Sequence, residues 1–76
     1  MEEKEISEKF KILGKNIKFY REKANISFSE LSNKTGINEK YLKKIEDGEA
    51  KRLGTFKVVK IMYVLNLSPE EIFYNL

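Results

Sequence analysis

Three lysines, Lys40, Lys43 and Lys44, fall within five residues of the stretch NKTGINEKYLKKIEDGE, residues 33–49. Side chains three and four apart on a helix are neighbours, so Lys40 and Lys44 would stand side by side and repel at a cost of about 0.2–0.5 kcal/mol. Such a face either meets a negatively charged partner or is a solvated surface, with Glu39 and Lys43 as an ordinary i,i+4 pair. Few other residues offer chemistry. The chain has no histidine, no cysteine and a single aspartate, Asp47. Histidine acid–base catalysis, thiolate metal sites and disulfides are therefore excluded by composition. A glutamate pair could do chemistry, but nothing in the pattern places two in an apolar pocket. No enzyme activity, metal or cofactor is expected.

The elements that must position the lysines have to fit in 76 residues, which suffice for one small domain with a modest core. At 41% hydrophobic residues the chain can fold as a globule. Its apolar runs are too short to span a membrane, and Met1 to Glu5 lack the basic-then-apolar order of a signal peptide. The expectation is a soluble, cytoplasmic protein. The net charge of +3 is uneven: −3 over residues 1–8, +5 over 9–23 and +1 over 38–52, with the remainder balanced. Excess positive charge in two stretches points to a polyanion partner. Residues 1–8 are read as an acidic N-terminal extension that either joins the first helix or stands apart, and residues 9–76 as the domain proper.

Ile6, Phe10, Leu13, Ile17 and Tyr20 step by four and three, the stripe of an amphipathic helix running to about Lys23. Ser27 with Glu30 predicts a capping box for a second helix, which carries Leu31 and ends before Gly36. Asn38 can cap a third helix whose apolar side is Leu42 and Ile45, ending at Asp47-Gly48. Thr55 is expected to cap a fourth, with Val58, Ile61, Met62 and Leu65 inward. Ser68-Pro69-Glu70-Glu71 predicts a fifth start. No hairpin signal, repeat or linker is visible. The fold class is all-α: a compact domain of five short helices.

Two helices joined by a tight glycine turn describe a helix-turn-helix. Ser32 is small enough for close helix approach, Gly36 makes the turn, and Ile37, Leu42 and Ile45 pack behind it. Over residues 13–73 the chain resembles the phage repressor and Cro-like helix-turn-helix family, also called Xre-type, whose domain is lambda-repressor-like. LGKNIKFYREKANIS resembles its first helix, SFSELSNKTGINEKYLKKIEDGE its helix-turn-helix with the Ile45-Glu46-x-Gly48 ending, and VVKIMYVLNLSPEEIF its last two helices.

The resemblance implies that a recognition helix at about 38–47 enters the DNA major groove. It assigns base readout to Asn38, Glu39, Lys40 and Lys44, with the lysines donating to guanine and Glu39 accepting from cytosine. It assigns the DNA backbone to Lys43, Lys51, Arg52 and Lys18, and to the helix start at Ser27. Arg21 and Glu46 match a pair that forms an interhelical salt bridge in close members. The sequence departs from the pattern at Phe28, where the family usually has a phosphate-binding glutamine. Phe28 either packs on the core or forms an exposed patch. Ser32 and Met62 replace favoured alanines, and the loop after Gly48 lacks a proline. The end of the chain, Phe73, Tyr74 and Leu76, either closes the core or serves as a dimer or partner surface.

The leading expectation is a transcriptional regulator, a repressor type that binds double-stranded DNA sequence-specifically as a homodimer. The other is a protein-interaction module on the same fold, a partner-binding domain or antitoxin-type component with weak or nonspecific DNA binding.

Overall fold

The computed structural model describes residues 3–50 and 53–76, Glu3 by its backbone alone. The described residues form five helices, α1 (Glu3–Lys23), α2 (Phe28–Thr35), α3 (Glu39–Glu46), α4 (Thr55–Leu65) and α5 (Pro69–Ile72), and no strand. The fold is all-α, as the sequence pattern predicts.

α1 is the backbone of the domain, packing against α3, α4 and α5, while α2 packs on α3 and α4. It begins at Glu3, so the acidic residues from there to Glu8 lie on the helix. Of its predicted stripe, Leu13 and Ile17 are buried, Phe10 and Tyr20 pack half-buried against the core, and Ile6 is exposed. Leu31, Ile37, Leu42, Ile45, Ala50, Val58, Ile61, Leu65, Leu67 and Ile72 complete the core. The oversized Met62 is half-buried against it.

Helices this short are marginal in isolation, so their ends matter. α1, α3 and α4 end alike, with Asn25, Gly48 and Asn66 at φ 58°, 78° and 55°. In each, the N–H after that residue bonds a carbonyl five back: Ile26 to Arg21, Glu49 to Lys44 and Leu67 to Met62. Each is a Schellman motif, which satisfies carbonyls the helix end would otherwise orphan. The helix starts vary more. Ser27 Oγ accepts from the Glu30 N–H at 3.1 Å, but the Glu30 carboxylate pairs with Lys34 at 3.3 Å, so only one arm of the expected capping box forms. The box closes in both directions at α5, between Ser68 and Glu71. Thr55 is not the cap of α4. Gly54 takes the extended N-cap conformation without a side-chain bond, and Thr55 is the first helical residue.

The C-terminal turn is strapped to α1. Asn16 Nδ2 donates to the Ile72 and Tyr74 carbonyls at 2.9 and 2.8 Å, and Lys9 Nζ donates to the Leu76 carbonyl at 3.1 Å.

The Ser68 backbone N–H bonded to Glu71, then the Ser68 hydroxyl, holds the Glu71 carboxyl below its ordinary value of 4.5. A depressed native pKa contributes stability above the unfolded pKa and loses it as pH falls through the native one. Urea titrations from pH 7 to pH 3 should therefore show a smaller acid-induced loss of stability for Glu71→Gln than for the wild-type chain, because the variant has already lost the contribution at neutral pH.

Candidate nucleic-acid interface

The turn between α2 and α3 is built by three residues. Gly36, at φ 76°, takes the left-handed conformation that L side chains avoid, and its N–H bonds the Ser32 carbonyl at 2.8 Å. Thr35 is buried; its hydroxyl donates to the Leu31 carbonyl at 2.7 Å and accepts from the Ile37 N–H at 3.1 Å. That hydroxyl satisfies the N–H left over by the turn, so Ile37 can be buried beside it. Asn38 Oδ1 then caps α3, accepting from the Lys40 and Tyr41 N–H groups at 2.8 and 3.4 Å.

α3 has two faces of different chemistry. Leu42, Ile45 and Glu46 are buried. Glu39, Lys40, Lys43 and Lys44 are exposed. No described carboxylate pairs with any of the three lysines; the i,i+4 ion pair between Glu39 and Lys43 does not form. The two later lysines are favourably placed in the last turn, where a helix end carries partial negative charge. The proximity of Lys40 to Lys44 has no such compensation.

The buried face is anchored by Arg21 of α1. Arg21 Nε donates to Glu46 Oε2 at 2.6 Å and Nη2 to Glu46 Oε1 at 3.2 Å, a two-pronged pair, while Nη1 donates to the Ile26 carbonyl at 2.9 Å. Both side chains are nearly inaccessible, 11% and 3% exposed, so the pair is shielded from water and salt. Phe28 explains part of that shielding. Its ring lies over the Arg21 guanidinium at 4.1 Å from the centroid, a cation–π stack, and the residue is half-buried against the core. Of the two placements expected for Phe28, the half-buried ring takes the one against the core.

Two glycines bring α1 onto the end of α3. A Cβ at Gly14 would lie 2.5 Å from the Glu46 carbonyl oxygen and 2.8 Å from its carbon. One at Gly48, itself at φ 78°, would lie 2.7 Å from Lys11 Cα. Backbone thus meets backbone at this crossing. Neither close approach is legible from turn chemistry, although a glycine inside a strongly periodic helix is a signal for one.

Lys18 is exposed one turn beyond Gly14, on the flank of α1 turned toward the end of α3. Ser27 is exposed at the start of α2. Lys51 and Arg52 lie outside the described residues. Asn38 is exposed, but its carbonyl oxygen is committed to the cap, leaving Nδ2 as its free donor. Phe73, Tyr74 and Leu76 are exposed on the C-terminal turn along α1. Sequence reasoning missed Lys57, whose ammonium sits 4.2 Å over the ring of Tyr41 on α3. Only the tertiary structure, which brings Lys57 of α4 to Tyr41 of α3, reveals it. Among the described residues no acidic cluster could hold a metal ion, and no helix is long and apolar enough to cross a membrane.

A protein-family model described as a helix-turn-helix domain matches residues 14–75. No curated protein and no solved structure matches the chain.

Arg21→Met should strand the Glu46 charge and cost about 3–5 kcal/mol in urea unfolding, with much of the loss regained when Glu46→Met is added. Gly14→Ala should invert the usual rule. Alanine inside a helix normally stabilises by about 0.5–1 kcal/mol, but here the methyl meets α3 backbone and the melting temperature should fall.

Proposed function

The chain belongs to the helix-turn-helix domain family, and from that membership we propose that it binds double-stranded DNA sequence-specifically as a cytoplasmic transcriptional regulator of the repressor and Cro-like type. The observation that carries this reading is the outer face of α3. Lys40 and Lys44 are exposed, adjacent and unpaired among the described residues, on a helix whose other face is locked by a buried ion pair. A phosphate-lined groove supplies the negative charge this face lacks.

In this arrangement α3 enters the major groove, where Lys40 and Lys44 donate to guanine edges and Glu39 accepts from cytosine. Asn38 contributes only its Nδ2 donor, since a bidentate contact to adenine would require the oxygen that caps the helix. Lys43, Lys18 and the α2 start at Ser27 bind the DNA backbone, joined by Lys51 and Arg52 of the following loop. Lys57 adds a cation beside Tyr41. Because one such domain reads only a few base pairs, the chain acts as a homodimer on a two-fold site, with half-sites about 34 Å apart.

A protein-interaction module on the same fold is the second reading. It is favoured by a row on α4, where Phe56, Val59 and Tyr63 are 72%, 51% and 86% exposed. Tight association with a co-purified protein, alongside DNA binding indifferent to sequence, would select it.

Selection of bound duplexes from random DNA at two salt concentrations tests the main reading. With roughly four phosphate contacts per chain, a dimer should show a log–log salt slope of about −7. Lys40→Ala and Lys44→Ala should relax base preference at single positions and cost about 1–3 kcal/mol there. Failure of every duplex to bind at low ionic strength would overturn the proposal, and unchanged preference in both variants would remove these lysines from the readout.

A further inference from the structure

We propose that two copies of the chain associate through one flank of α1, packed antiparallel, so that Ile12 and Phe19 of each copy meet Phe19 and Ile12 of the other. Glu8 of each copy then faces Lys23 of the other. The inference rests on the homodimer reading above and supplies its surface.

Glu8, Ile12, Phe19 and Lys23 are spaced by four, seven and four, so they share one helix face. The order is acid, apolar, apolar, base. Reversed end to end, it is complementary to itself. Phe19 is 58% exposed, stacked edge-on against Tyr20 with ring centroids 5.1 Å apart. Ile12 is half-buried and does not pack on the core cluster. Neither Glu8 nor Lys23 forms an ion pair among the described residues; the Lys23 ammonium lies 6.0 Å from the centroids of the Phe19 and Tyr20 rings and acts on the Glu71 carboxylate only through its longer-range field.

The whole helix repeats this polarity. Residues 3–8 carry Glu3, Glu5 and Glu8 against Lys4, whereas 9–23 carry five lysines and the internally paired Arg21 against Glu22. An antiparallel pair sets unlike halves together; a parallel pair would set like against like. Beside Phe19 lies a cleft of about 410 Å³ lined by Lys15, Asn16, Phe19, Tyr20 and Tyr74, a socket for the other copy's Ile12. The exposed Tyr74 thereby joins the interface. Lys15 sits near the two-fold axis, and its long stem can carry its charge outward to water. The exposed row on α4 has no such self-complementarity, because that helix carries Lys57 and Lys60 and no acid.

The axis of an antiparallel pair runs perpendicular to both helices. Gly14 and Lys11, which meet the end of α3, lie roughly a third of a turn round α1 from the Ile12–Phe19 face. The two-fold operation therefore leaves both α3 helices on the same side of the dimer, as a two-fold DNA site requires.

Sedimentation equilibrium of the full chain tests the proposal. Glu8→Lys and Lys23→Glu should each weaken self-association about tenfold, since two attractive contacts become repulsive. An equimolar mixture of the two variants should recover wild-type affinity as a heterodimer, which a merely misfolded variant could not do. Circular dichroism should stay unchanged, because the substituted side chains are exposed. Phe19→Ser should weaken the dimer further while leaving binding to a single half-site intact. A chain that stays dimeric through all three variants, but dissociates when Tyr63 or Leu76 is made polar, would overturn this surface and leave the homodimer reading standing. A wild-type chain that sediments as a monomer at about 1 mM and fills two half-sites independently would overturn both.

Discussion

The structure depends on how closely α1 can cross the end of α3. Gly14 and Gly48 remove the side chains that would hold the two backbones apart, and about two turns further along α1 the Arg21–Glu46 pair ties the same two elements. The two features require each other. A two-pronged ion pair between residues on two different helices forms only if the helices are already near, and burying it is tolerable only if nearly every polar hydrogen and lone pair finds a partner. The Ile26 carbonyl and the Phe28 ring supply the rest of that satisfaction for Arg21. The angle at which α3 leaves the globule is thus set by backbone contact and a directional bond, in addition to apolar packing that tolerates sliding.

The charges of α3 divide accordingly. Its one buried carboxylate is neutralised inside the protein, and its lysines are left to solvent. An exposed pair contributes little either way in water, whereas the buried pair is sensitive to any loss of one partner. The buried and the solvent-facing charges are therefore carried by different residues of the same eight-residue helix. Changes on the outer face should therefore leave the fold intact.

Phe28 shows how an aromatic ring at a helix start can serve a neighbouring ion pair. At the start of α2 a phenylalanine cannot bond a phosphate, and its position invites a surface role. Instead the ring covers the guanidinium that holds α3. The short helices also depend on their ends. Two left-handed asparagines and a left-handed glycine finish α1, α4 and α3, and a side-chain hydroxyl completes the turn after α2.

Much of the architecture could be read from the order of residues alone, because its causes are local. Hydrophobic periodicity located α1 and α4, and Asn38, Gly36 and Ser68 marked helix ends through bonds that span only two to four residues. The lysines of α3 were likewise visible, since i,i+4 adjacency follows from helix geometry. What the chain order could not decide was which groups would meet across long separations. Whether Glu30 would bond its own cap or Lys34, and whether Thr55 or Gly54 would start α4, turned on small local differences that packing resolves. The contact of Gly14 with Glu46, of Phe28 with Arg21, of Asn16 with the C-terminal carbonyls and of Lys57 with Tyr41 belongs to the tertiary structure. Periodicity tells which side of a helix turns inward; only the packed arrangement of all five decides which atoms it finds there.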